Sequence, residues 1–105
     1  MKVTIMLACA AGMSTSLMVE RMKNAAENKV IEAEIFAVPV GEVDNYLEDK
    51  KIDIVLLGPQ VRFMKSKFEE KAKQYNFALD IIPMVDYGMM NGEKVLDQAI
   101  NLLNQ

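Results

Sequence analysis

Cys9, Gly12 and the hydroxyl run Ser14, Thr15 and Ser16 fall together in the stretch "LACAAGMSTS", Leu7 to Ser16, and Cys9 is the only thiol in the chain. A thiol becomes a nucleophile as its thiolate, and a helix N-terminus with converging amide donors favours that form. The stretch has the composition for such a place. Ala10 and Ala11 leave the backbone uncovered and Gly12 can take a positive φ, so the amides from Ala10 through Met13 can turn inward as a concave nest for a tetrahedral oxyanion. Ser14, Thr15 and Ser16 add hydroxyl donors where a helix starts, and the unpaired N–H groups and dipole of that first turn favour an anion.

The chemistry this spacing suits is attack of Cys9 on a phosphoryl group, with Ala10, Ala11, Gly12, Met13, Ser14, Thr15 and Ser16 holding the equatorial oxygens. The loop carries no acidic residue to repel a phosphate, and Glu20 is the first carboxylate after it. The plainer alternative is a buried, inert cysteine at a strand end, with the hydroxyls capping a helix.

What the chain lacks narrows the chemistry further. It has no histidine, so a histidine base, metal ligand or phosphoryl carrier within this chain is excluded; with a single thiol, the usual zinc sets are excluded as well. No metal or cofactor is expected, and histidine chemistry has to come from another molecule. One cysteine permits no internal disulfide, in keeping with a reducing compartment. The formal charge is -3 with no block of Lys or Arg, which gives no electrostatic footprint for nucleic acid or an anionic membrane surface. No apolar run approaches the roughly 20 residues of a membrane span, and the short apolar start is not organised as a signal peptide.

The elements that must position Cys9 follow from periodicity. Val3 to Ala8 is a near-continuous apolar run, the pattern of a strand buried on both faces. From about Ser14 the period changes, and Met18, Met22, Ala25 and Ala26 form a helical stripe. Glu32 to Val38 reads as a second strand, Val43, Tyr46 and Leu47 as a short helix face, and Asp53 to Leu57 as a third strand stopped by Gly58 and Pro59. Met64, Phe68, Ala72 and Tyr75 make the next stripe, and Leu79 to Ile82 a fourth strand ended by Pro83. A loop holding Asp86, Tyr87, Gly88, Met89 and Met90 leads to a C-terminal helix marked by Val95, Leu96, Ala99, Leu102 and Leu103.

Strands interleaved with helices predict one α/β domain over residues 1–105: an open, doubly wound, four-stranded parallel sheet with helices on both faces and the phosphate loop after the first strand. In such sheets ligands bind outside the carboxyl ends of the strands, where the winding reverses.

"CAAGMSTS", Cys9 to Ser16, resembles the cysteine phosphorylation loop of the lactose/cellobiose type enzyme IIB of the phosphoenolpyruvate-dependent sugar phosphotransferase system, which in the cellobiose and chitobiose branch commonly reads C-S-A-G-M-S-T-S. The resemblance extends to "DIVLLGPQVRFM", Asp53 to Met64, to the length and to the order of strands and helices. It implies a phosphotransferase with a phosphocysteine intermediate. Cys9 would accept a phosphoryl group from a phosphohistidine of enzyme IIA and give it to a sugar, cellobiose or a related β-linked disaccharide, taken up by the membrane enzyme IIC. Such a subunit is cytoplasmic and joins the inner face of the membrane through enzyme IIC, without inserting. Ala10 departs from the pattern, standing where that branch has a serine.

Two rivals come from other classes. Low-molecular-weight tyrosine phosphatases carry C-x5-R-S after a first strand, but aligned on Cys9 their arginine falls on Thr15, and hydrolysis loses its bidentate charge clamp. Asp86 beside Tyr87 would be the candidate general acid. A non-enzymatic, receiver-like anion module suits the same fold but wants an acidic cluster at the strand ends, where Ala8 and Cys9 stand. Gln60, Val61 and Arg62 follow the third strand and border the same end, Arg62 reading as a solvated charge. Met13, Met89 and Met90 sit in loops facing prospective partners or fill the core.

Overall fold

The computed structural model describes residues 2–10 and 15–104. Four strands, β1 (Val3–Cys9), β2 (Ala33–Pro39), β3 (Ile54–Leu57) and β4 (Ala78–Ile81), form one sheet in the order β2-β1-β3-β4, and every pairing is parallel. The helices are α1 (Thr15–Asn28), α2 (Val43–Asp49), α3 (Lys65–Tyr75), α4 (Met84–Gly88) and α5 (Gly92–Leu103), with short 3-10 turns at Val40–Glu42 and Pro59–Met64.

Every residue of β1 is buried because the strand has a neighbour on each side and a helical layer on each face. Its alternation divides the core. Val3, Ile5 and Leu7 point to the face covered by α1 and α5, with Met18, Met22, Val95, Leu96 and Ala99. Met6 and Ala8 point the other way, into the layer closed by Val43 and Leu47 of α2 and Phe68 of α3. Burying each large apolar side chain in these layers contributes about 1.5–3 kcal/mol, so the continuous apolar strands specify the two-layer cover.

The chain therefore winds from β1 outward to β2 through α1 on one face. It then crosses back through α2 to β3 and through α3 to β4 on the other. The winding direction reverses between β1 and β3, the position outside whose carboxyl ends such sheets bind ligands. The register Leu7↔Leu56 and Ala8↔Leu57, continued one step, sets Gly58 beside Cys9; the Gly58 amide donates to the Ala8 carbonyl at 2.9 Å.

The expected strands and long helices are present, with ends moved by one or two residues. Cys9 belongs to β1 itself, and Asp53 precedes β3. The largest difference lies between β4 and α5, where a loop was expected and a five-residue helix, α4, is found. Tyr87 from α4 is buried in the α1 and α5 layer, and this anchorage rather than any periodic stripe makes the turn. Asn91 then caps α5, its side chain accepting from the Lys94 amide at 3.2 Å.

Candidate phosphoryl-transfer site

Cys9 is the last residue of β1, paired with Pro39 of β2, and sits at the carboxyl end where the winding reverses. Its position agrees with the sequence reading; its exposure does not. The residue is only 4% exposed, because position 9 is still a rung of the ladder and not part of a loop mouth. The Sγ–H donates to the Val38 carbonyl at 3.5 Å, so the thiol hydrogen is directed across β2.

Of the expected phosphate-binding residues, Ala11, Gly12, Met13 and Ser14 lie outside the described residues. Ala10 and Ser16 are exposed on either side of them. Thr15 opens α1 and is 1% exposed, and its Oγ1 is buried with no hydrogen-bond partner among the described residues. The hydroxyl therefore does not serve as a helix cap. A buried hydroxyl with no partner costs about 1–3 kcal/mol, and a position held at that cost calls for an explanation.

The loop after β3 forms the other wall. Pro59–Met64 is a 3-10 turn held by the Val61 amide on the Gly58 carbonyl at 3.0 Å. Arg62 is exposed, and its Nη1 donates to the Pro59 carbonyl at 2.7 Å. It is a surface charge tied to its own turn. Large apolar side chains stand in solvent: Leu17 in the first turn of α1, Phe63 after β3, and Met84 and Val85 after β4 follow the carboxyl ends of the strands, with Phe63 80% exposed, whereas exposed Met89 lies beside Arg21, Asn24 and Asn28 of α1. Sequence reasoning found Met89 among these. Phe63 gave no signal of its own, since an aromatic residue in a short apolar run reads as core.

The Asp86–Tyr87 pair, weighed as a possible general acid in an exposed loop, is instead part of α4, with Tyr87 buried. Among the described residues no cluster of His, Cys, Asp or Glu could hold a metal ion, and no helix is long and apolar enough to cross a membrane.

Residues 4–98 match the family model of the PTS system lactose/cellobiose specific IIB subunit. The chain is 50% identical over 103 residues to the cellobiose-specific EIIB component of Lactococcus lactis subsp. lactis (strain IL1403), covering 95% of each. It is equally, 50%, identical over 103 residues to the galactose-specific EIIB component of Lactococcus lactis subsp. cremoris (strain MG1363), again covering 95% of each. The solution structure of the cellobiose-specific phosphotransferase IIB component protein from Borrelia burgdorferi superposes with a TM-score of 0.79 at 43% identity, covering 99% of this chain and 94% of that one. A parallel sheet whose winding reverses beside Cys9, together with these likenesses along nearly the whole length, establishes that the chain belongs to the lactose/cellobiose-specific IIB family of the sugar phosphotransferase system.

Proposed function

We propose that residues 1–105 form one phosphocarrier domain in which Cys9 carries the group. The Cys9 sulfur attacks the phosphorus of a phosphohistidine on enzyme IIA. An S–P bond forms, the P–N bond breaks, and the thiol proton passes to the imidazole nitrogen. In the second step a hydroxyl of a sugar held by the membrane enzyme IIC attacks phosphorus, the S–P bond breaks, and the hydroxyl proton returns to sulfur. Histidine is absent from this chain, and the donor supplies it.

The observation that carries the reading is the siting of the single thiol at the carboxyl end of β1, where the winding reverses, in the same chain segment as the buried Thr15 hydroxyl at the start of α1, which has no partner among the described residues. Phosphoryl oxygens would supply that hydroxyl with an acceptor. Ala10, Ala11, Gly12, Met13, Ser14 and Ser16 complete the proposed phosphate set through their amides and hydroxyls. Leaving β2, the thiol would exchange its bond to the Val38 carbonyl for one to phosphorus.

Enzyme IIA and enzyme IIC meet this end in turn, through the apolar rim of Leu17, Phe63, Met84 and Val85. The domain works at the cytoplasmic face of the membrane, held there by enzyme IIC. The sugar is a β-linked disaccharide, cellobiose or a relative. Relatives with equal identity carry cellobiose and galactose in their names, so the choice among sugars rests with the transporter.

The test is intact mass after incubation with phosphoenolpyruvate, the general phosphotransferase proteins and enzyme IIA. The chain gains one phosphate, and Cys9→Ser, still folded, gains none. Phosphate retained by the Cys9→Ser protein would assign the carrier elsewhere, and free phosphate released at every turnover would make the chain a hydrolase.

A further inference from the structure

Opposite Cys9 the structure leaves a side chain out. Gly58 continues the β1–β3 register one step past Leu57, so its side-chain direction is that of Ile54 and Leu56, toward the α1 and α5 face that Cys9 shares with Ile5 and Leu7. A carbon built at that position would stand 4.0 Å from the Cys9 Cβ and 3.6 Å from the Ala8 carbonyl oxygen. It would also stand 3.4 Å from Oε1 of Gln60. The place a side chain at 58 would occupy beside the cysteine is thus bordered by the Gln60 amide, which folds back over the glycine from the turn above. The turn is stiff, because Pro59 fixes its start and the bonds from Val61 to Gly58 and from Arg62 to Pro59 close it.

We infer that Gln60 is a phosphoryl-contact residue of the transfer site, its side-chain amide donating to an oxygen of the group on Cys9, and that Gly58 is bare so that the two can meet. The inference rests on the phosphocarrier reading above. Once the sulfur turns from the Val38 carbonyl on β2 toward β3, the C–S, S–P and P–O bonds of a phosphocysteine reach toward the amide that the turn at the neighbouring strand end carries. An amide also suits a carrier. It donates two N–H bonds to the phosphoryl oxygens yet adds no charge, so it orients the group without the electrostatic clamp a guanidinium would impose on a group that must leave again.

The experiment follows phosphoryl transfer from phosphorylated enzyme IIA to this chain for wild type, Gln60→Leu, Gly58→Ala and the double variant. Gln60 is exposed, and an alanine methyl at 58 meets only ordinary contacts, so the variants keep the wild-type melting temperature. Loss of a hydrogen bond to a charged oxygen slows transfer about 10- to 100-fold in Gln60→Leu. Gly58→Ala slows it as well, because the methyl fills the space between the amide and Cys9, and the double variant is no slower than Gln60→Leu alone. In the wild type the side-chain N–H resonances of Gln60 shift when Cys9 is phosphorylated. Wild-type transfer rates in Gln60→Leu, or Gln60 resonances that stay put on phosphorylation, overturn the inference while the carrier reading stands. A wild-type chain that takes no phosphate on Cys9 overturns both.

Discussion

Thr4 and Asp53 hold each other twice: the Thr4 amide donates to Asp53 Oδ2 at 2.8 Å and the Asp53 amide to the Thr4 carbonyl at 3.0 Å. This pairing sits at the amino end of β1 and β3, opposite the end that carries Cys9. Together with Gly58 on Ala8 it fixes the register of the two strands from both ends.

Asp53→Ala leaves the enclosed Thr4 N–H without its acceptor. The expected loss of unfolding free energy is about 1–3 kcal/mol, measured by urea titration. Asp53→Asn keeps a carbonyl acceptor and loses less. Phosphoryl transfer per folded molecule is unchanged in both, because Asp53 is remote from Cys9; a selective loss of transfer would show that this carboxylate does chemistry.

Thr15→Val keeps the shape of the side chain and removes the buried hydroxyl that has no partner among the described residues. Stability rises by about 1 kcal/mol, since an unsatisfied polar atom is lost from the interior. Transfer to Cys9 slows if that hydroxyl meets a phosphoryl oxygen. A variant that is less stable and equally fast contradicts both expectations.

Phe63→Asp tests the apolar rim. The side chain is 80% exposed, so its replacement leaves the melting temperature within the scatter of surface substitutions. KM for phosphorylated enzyme IIA rises about 10-fold or more as an aromatic anchor is replaced by a charge. An unchanged KM removes Phe63 from the docking surface.

The Glu34 carboxyl is held below its usual range, first by the hydrogen bond from Lys50; burial pushes it up by less than that bond, and the charges of Lys50 and then Lys2 lower it further. A carboxyl depressed in the folded state stabilises above its unfolded pKa, and that contribution is lost as pH falls through the folded value. The pair is largely exposed, so salt and solvent limit it to roughly 0.2–1 kcal/mol. Wild type is more stable than Glu34→Gln by that margin at neutral pH, the margin vanishes in acid, and added salt shrinks it. A difference that persists below the carboxylate range would point to packing against Phe36, over which Lys50 lies at 5.1 Å.

The sheet was readable because β1 is apolar but for Thr4, β3 is apolar throughout, and they stop at Cys9 and before Gly58, while Met18, Met22, Ala25 and Ala26 could only form a helical stripe. The loop at Ala11 to Ser14, on which the chemical reading leaned, lies outside the described residues. Contacts between distant segments were hidden. α4 is too short to carry a period and exists because Tyr87 finds the core. Asp53 read as a strand residue, since nothing near it in sequence announces Thr4. The cover over Cys9 was equally invisible, for it depends on which strands flank β1. Gln60 could be set near the site from the "GPQ" that ends β3, but its approach to Cys9 needed the parallel register of β1 and β3.

Cys9 closes a central strand, paired with Pro39 on one side and one step past the Ala8–Leu57 rung on the other, so its α-carbon moves little without disturbing those rungs. The sulfur is left little more than rotation about its own Cα–Cβ bond. In the proposed relay, a donor and an acceptor of quite different shape would both steer their reacting atoms to one point, and adaptability would be supplied by the visitors.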